Sequence, residues 1–104
     1  MNTQTTAPVK VQTIDINAKE WFDKVNGNSY FAGSITINFG QPDQETLKMP
    51  FQYGYGDSYK YKALETLQIL GYTTLTHTAD LREHGIIVRS NIQRGCKKRE
   101  LMEY

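Results

Sequence analysis

Four residues, Gly54-Tyr55-Gly56-Asp57, stand where an alternating strand pattern gives way to a helical one, the place where backbone amides can meet an anion. Glycines at a strand-to-helix turn let a phosphate approach the helix N-terminus, which makes Gly54 and Gly56 candidate anion-binding positions. Three features oppose that reading. Tyr59 stands where the third glycine of a dinucleotide fingerprint belongs, no Gly-Lys-Ser/Thr follows, and Asp57 puts a carboxylate where the anion would sit. That carboxylate can satisfy the same amides as an ordinary helix cap. A plain structural turn is the favoured account, and nucleotide or small-ligand binding at Gly54–Asp57 the alternative.

Tyrosines crowd the same corner: Tyr53, Tyr55, Tyr59 and Tyr61. Tyr53 and Tyr55 continue the face of Phe51, so core is their default place. Tyr59 and Tyr61 fall in the first helical turn and point about 200° apart, so at least one ring must leave the core. An exposed tyrosine beside Lys60 and Lys62 suits a partner-binding surface, because the ring gives large contact area with little entropy loss. A solvated first turn is the blander alternative.

Other reactive residues are sparse. His77 and His84 have no cysteine or acidic residue at zinc-site spacing, so no metal is expected. Cys96 is the only cysteine, and the neighbouring Lys97 and Lys98 would lower its pKa. Without a base or an oxyanion site it makes no nucleophilic centre, and the chain is expected to be no enzyme and to need no cofactor. The end of the chain is basic. Residues 1–81 carry six Lys/Arg against eight Asp/Glu, whereas residues 82–104 carry six against three. Arg89, Arg94, Lys97, Lys98 and Arg99 are therefore candidate phosphate contacts for RNA or single-stranded DNA. An RRM-type platform fails on the sequence, since Val9 to Ile16 has no aromatic residue and Leu47 to Tyr55 lacks the basic-Gly-aromatic consensus.

The elements that must hold these residues follow from periodicity. Residues 1–8 read as a disordered tail, 9–93 as a single α+β domain, and 94–104 as a basic strand or tail. Val9 to Ile16 reads as a strand with Val9, Val11 and Thr13 on one face and Ile14 and Ile16 on the other, so either a bulge near Thr13 shifts the phase or both faces are partly covered. Asn17 and Glu20 have capping-box spacing, and Ala18, Trp21, Phe22 and Val25 form a helical stripe ended by Asn26-Gly27-Asn28. Tyr30 to Phe39 alternates, with Phe31, Gly33, Ile35, Ile37 and Phe39 on one face. Leu47 to Tyr55 resumes the alternation as the second arm of a hairpin, with Pro50 marking an edge or a bulge. Ala63, Leu64, Leu67 and Leu70 are the buried stripe of a helix capped by Asp57 or Ser58 and closed by Gly71. Thr73 to Thr78 suits a short strand, Ala79 to His84 a helical turn, and Ile86 to Ile92 a further strand. The expectation is a small antiparallel sheet with two helices on one face in the order βαββαβ, the order of a ferredoxin-like fold.

Composition bounds what this domain can be. Its 104 residues allow one modest core, and the 12% aromatic share offsets a lean 38% of hydrophobic residues. A net charge of +1 argues against a nonspecific DNA binder and against an acidic DNA mimic. The lone cysteine favours a reducing compartment. With no signal-peptide pattern and no membrane-spanning run, the expected place is the cytoplasm, without membrane attachment.

The blocks Trp21-Phe-Asp-Lys-Val-Asn-Gly-Asn-Ser-Tyr-Phe31 and Pro50-Phe-Gln-Tyr-Gly-Tyr-Gly-Asp57 resemble short uncharacterised proteins encoded by bacteriophages. The likeness covers about Ile16 to Gly71 and stops at Tyr72. It carries no assigned activity; what it implies is a phage accessory protein that binds a host or phage macromolecule. The favoured expectation is thus a non-catalytic binding protein with a protein partner, acting in the host cytoplasm. A homodimer is open as well, through an edge strand near Pro50 or the Ile86 to Ile92 segment.

Overall fold

The computed structural model describes residues 10–73 and 78–103. Three strands come first: β1 (Thr13–Asp23), β2 (Asn28–Ile37) and β3 (Glu45–Tyr53). The helices α1 (Ser58–Ile69) and α2 (Thr78–Glu83), the strand β4 (Ile87–Gln93) and a last short helix α3 (Lys98–Met102) follow. The sheet runs β3-β2-β1-β4, with β1–β2 and β2–β3 antiparallel and β1–β4 parallel. The architecture is a small α+β domain on a mixed sheet.

Two expectations are overturned at the first hairpin. Asn17 to Val25 is not a helix; it is the second half of β1 and the turn after it. Its residues pair one for one with β2, from Ile14↔Ile37 to Asp23↔Asn28. The apolar residues of this stretch fit both periods, and a long partner strand beside it decides for extended backbone. Ile14, Ile16 and Ala18 enter the core, Trp21 stands on the opposite face, and Val25 is 91% exposed in the turn. Gly27, with φ 72°, closes a tight hairpin instead of a helix. The Asn26 side chain donates to the Asp23 carboxylate at 2.8 Å, and this bond first, then the Asn26 and Val25 backbone amides at 3.3 and 3.0 Å, holds it below the usual carboxylate range. The order βαββαβ is therefore replaced by βββααβα, and the sheet is not wholly antiparallel.

The main core fills one face of the sheet: Ile14, Ile16, Phe31, Ile35, Ile37 and Met49 from the strands meet Tyr59, Ala63, Leu64, Leu67 and Leu81 from the helices. Among the described residues the expected strand begins only at Thr13, and Val11, ahead of it, packs against the same core as Ile14. Asn38 is fully buried at φ 55°, its Oδ1 accepting from the amides of Gln12 (2.7 Å) and Thr13 (3.2 Å). Its amide group donates to the Lys10 carbonyl (2.9 Å) and to Asp43 (3.2 Å). This left-handed residue ends the alternation, so Phe39 swings outward instead of continuing the core face.

Pro50 lies on an edge strand and at a bulge together. The β2–β3 register runs Gly33↔Met49 but Phe31↔Gln52, so one extra residue of β3 faces Ala32. That insertion turns Phe51 to the face opposite Met49, which corrects the expectation of one continuous Leu47-to-Tyr55 face. Helix α1 ends at Gly71 (φ 84°), where the Tyr72 amide donates to Leu67 and the Gly71 amide to Gln68, a Schellman closure. Leu70, expected inside, is 47% exposed just past the last turn. Most of the Thr73 to Thr78 strand reading lies outside the described residues. Residues 94–103 are neither strand nor loose tail: α3 packs Leu101 with Cys96 and Ala32 on the second sheet face. Helices thus stand on both sides of the sheet.

Candidate functional site

Three rings line up across the second face. Trp21 on β1 stacks on its cross-strand neighbour Tyr30 at 5.5 Å, and Tyr30 stacks on Phe51 of β3 at 5.1 Å. Tyr53 meets Tyr30 edge-on at 5.9 Å. The β3 bulge makes the row, because without the extra residue Phe51 would face the main core. Lys98 from α3 closes the other end, its Nζ 5.6 Å from the Trp21 ring. Between the β1–β2 turn and Gly95–Lys98 runs an open groove of about 500 Å³ floored by Trp21, Phe22 and Cys96.

The four tyrosines separate. Tyr53, Tyr55 and Tyr61 are 59%, 67% and 65% exposed, whereas Tyr59 is 4% exposed inside the core. Tyr59 is therefore a packing residue and leaves the candidate surface. Tyr53 shares the second sheet face with Phe51 but is left largely uncovered there, and Tyr55 lies beyond the end of β3, so both face solvent. Lys60 lies 3.6 Å from Asp57, and Lys62 lies 3.2 Å from Glu65. The tyrosine corner is thus close to neutral and rich in apolar ring surface.

The glycines of the turn have structural work. Gly54 is buried, its amide donates to the Ser29 carbonyl at 3.0 Å, and a Cβ there would stand 2.6 Å from the Phe31 ring. Gly56 takes φ 60°, a conformation that favours glycine. The Tyr55 amide is occupied by Ser58 Oγ at 3.3 Å. The Asp57 carboxylate, expected as the cap, makes no capping hydrogen bond and turns to Lys60. Two amides of the candidate anion cradle, those of Gly54 and Tyr55, thus already have acceptors.

The basic residues are dispersed and partly neutralised. Arg89 forms a two-bond pair with Asp15 at 2.7 and 3.0 Å, which raises its pKa. Arg94 donates to Glu20 at 2.9 Å, an acid that is 9% exposed in β1 rather than a capping residue. Lys97, Lys98 and Arg99 begin α3. There the Glu100 carboxylate accepts from the Lys97 amide at 2.9 Å, which holds Glu100 below its usual range. Cys96 is buried, and burial, reinforced by Glu100, pushes its thiol up. The expected lowering by Lys97 and Lys98 is overturned, because burial, with Glu100 beside it, outweighs the nearby positive charge.

Among the described residues no group of three His, Cys, Asp or Glu is placed to hold a metal ion. His84 is exposed at the end of α2, and His77 lies outside the described residues. Among the described residues no helix is long and apolar enough to cross a membrane. The Trp21–Tyr30–Phe51 row is absent from the sequence reading, although a signal for it exists. Asn26-Gly27 flanked by apolar residues is a hairpin signature that puts Trp21 opposite Tyr30. With Trp21 on β1 the first strand does carry a ring, so one of the two grounds against an RRM-type platform falls, while Leu47 to Tyr55 still lacks the basic-Gly-aromatic consensus. No protein-family model, curated protein or solved structure matches this chain.

Proposed function

We propose that this chain is a non-catalytic binding protein whose partner is another protein, engaged through Tyr53, Tyr55 and Tyr61 with Lys60 and Lys62 at the rim. The observation that carries the reading is three exposed tyrosines close in sequence, one of them resting edge-on against a row of packed rings. Rings backed by rings lose little freedom on binding, which is what an aromatic anchor needs. Charge favours a protein over a nucleic acid, because the lysines of this corner already face Asp57 and Glu65. The resemblance to short phage-encoded proteins suits an accessory role in the host cytoplasm, by occlusion of a host or phage protein.

One observation favours a second reading, binding of RNA or single-stranded DNA. Lys98 lies on Trp21, with Lys97 and Arg99 exposed beside it. Against it, base stacking needs a free ring face, and Tyr30 is sandwiched while Lys98 covers Trp21.

Affinity purification from host cells, followed by zero-length cross-linking, tests both. The expected result is a protein cross-linked to wild type, lost in Tyr53→Ala/Tyr55→Ala/Tyr61→Ala and kept in Lys97→Glu/Lys98→Glu. Recovery of nucleic acid instead, released by salt and lost in the lysine variant, reverses the two readings.

A further inference from the structure

The two edges of the sheet are built differently. β3 is guarded: Pro50 is exposed within it and lies at the bulge, two devices that discourage another strand from pairing. β4, Ile87-Val-Arg-Ser-Asn-Ile-Gln93, contains no proline and keeps an unbroken register with β1 from Thr13↔Ile87 to Lys19↔Gln93. The Ile87 amide donates inward to the Gln12 carbonyl at 3.1 Å. In a parallel ladder such groups alternate, so Arg89, Asn91 and Gln93 also face β1, while the backbone groups of Val88, Ser90 and Ile92 face the edge that pairs with no other strand among the described residues.

We propose that this edge pairs with a second copy of the chain, two β4 strands running antiparallel about a twofold axis at Ser90. Self-complementarity of the strand singles out that occupant and that register. With Ser90 opposite Ser90, Val88 of one copy meets Ile92 of the other twice, on the face where both already pack against the main core. Arg89 meets Asn91, and its guanidinium is already held by Asp15, so no like charges oppose each other. Sliding the copies by two residues in one direction sets Arg89 against Arg89. Sliding them the other way sets Val88 against Arg94 and Ile92 against Ser90. Of these three registers only the centred one sets Val88 against Ile92 twice, and it forms about six new backbone hydrogen bonds. It also continues the apolar layer of a small core across the axis, which a domain of this size gains from.

Sedimentation velocity of the full chain over about 1 to 100 µM, a range in which a modest dimer dissociates, is the measurement. The expected result is a concentration-dependent dimer. Ser90→Pro removes an outward-facing amide without breaking a bond to β1, and is expected to weaken the dimer by about 100-fold with the circular dichroism of the fold retained. Ser90→Glu sets two carboxylates face to face at the axis; it is expected to give a monomer at neutral pH and recovery of the dimer below about pH 4. If Ser90→Pro fails to fold, Ser90→Glu decides. A wild-type chain that stays monomeric throughout overturns the proposal, and so does a dimer that Ser90→Glu leaves unchanged at neutral pH.

Discussion

Asn38 shows how much one polar side chain can organise. Its buried amide group serves four partners on two chain segments, so both of its polar atoms are satisfied and the incoming strand is anchored to the β2–β3 loop. Removing it leaves two part-buried hydrogen-bonded amides and a carbonyl without that partner while keeping a backbone angle that disfavours a Cβ. Asn38→Ala is expected to cost about 2–4 kcal/mol in a urea titration, and Asn38→Gly somewhat less because it relieves the φ of 55°. A loss below about 0.5 kcal/mol would show that water replaces the side chain without penalty. The alternation of Tyr30 to Phe39 hid this residue, since by period it belonged on the polar face. Only the neighbour it binds, far along the chain, gives it a role. Cys96 carries the same lesson for chemistry: its sequence neighbours are basic, but burial and a carboxylate set its pKa.

Helix α3 holds its place through Leu101 against Ala32 and Cys96, a small cluster separate from the main core. A five-residue helix has no stability of its own, so its docking free energy is the packing of that cluster. Leu101→Ala is expected to remove about 2–3 kcal/mol locally and to raise the labelling rate of the native Cys96 thiol by roughly 30- to 160-fold. The thermal midpoint should move much less than a main-core truncation such as Leu67→Ala moves it. Equal shifts of both would mean that the two layers melt as one unit. The elements legible in the sequence are β2, α1 with its Gly71 stop, the helical turn expected over Ala79 to His84 and the strand expected over Ile86 to Ile92, which the structure sets at Thr78–Glu83 and Ile87–Gln93. Asn17 to Val25 is not among them, because Ala18, Trp21, Phe22 and Val25 satisfy a helical spacing while Ile14, Ile16 and Ala18 satisfy a strand spacing. Local preference was near balance there, and ten ladder pairs with β2 tipped it.

Tyr72 ties the end of α1 to β3, its hydroxyl donating to the Glu45 carboxylate with oxygen distances of 2.8 and 2.9 Å. Burial first, then the hydrogen bond and charge of Glu45, push its pKa up from the usual 10.0 to about 12. The folded state thus holds this proton more tightly than the unfolded chain does. Its contribution to stability is fully present below pH 10.0 and is lost as pH rises towards about 12. Tyr72→Phe is expected to cost about 1–2 kcal/mol at neutral pH and to flatten the decline between those two values in an alkaline unfolding series. A variant that loses stability with pH as steeply as wild type would assign the alkaline transition to other groups.

For the molecule as a whole, periodicity and glycine placement sufficed to show an α+β chain, its longest helix, its proline-marked edge and a corner crowded with tyrosines. These follow from chain-local physics: side-chain period, φ preference and the missing amide of proline. Tertiary structure alone decided that β4 lies parallel to β1, that Phe51 joins Trp21 and Tyr30, and that Tyr59 is sealed while Tyr61 is free. Each of those outcomes depends on which distant segments meet and in what register. A single extra residue in β3 turns every later side chain of that strand to the other face, and no count along the chain reveals where it falls.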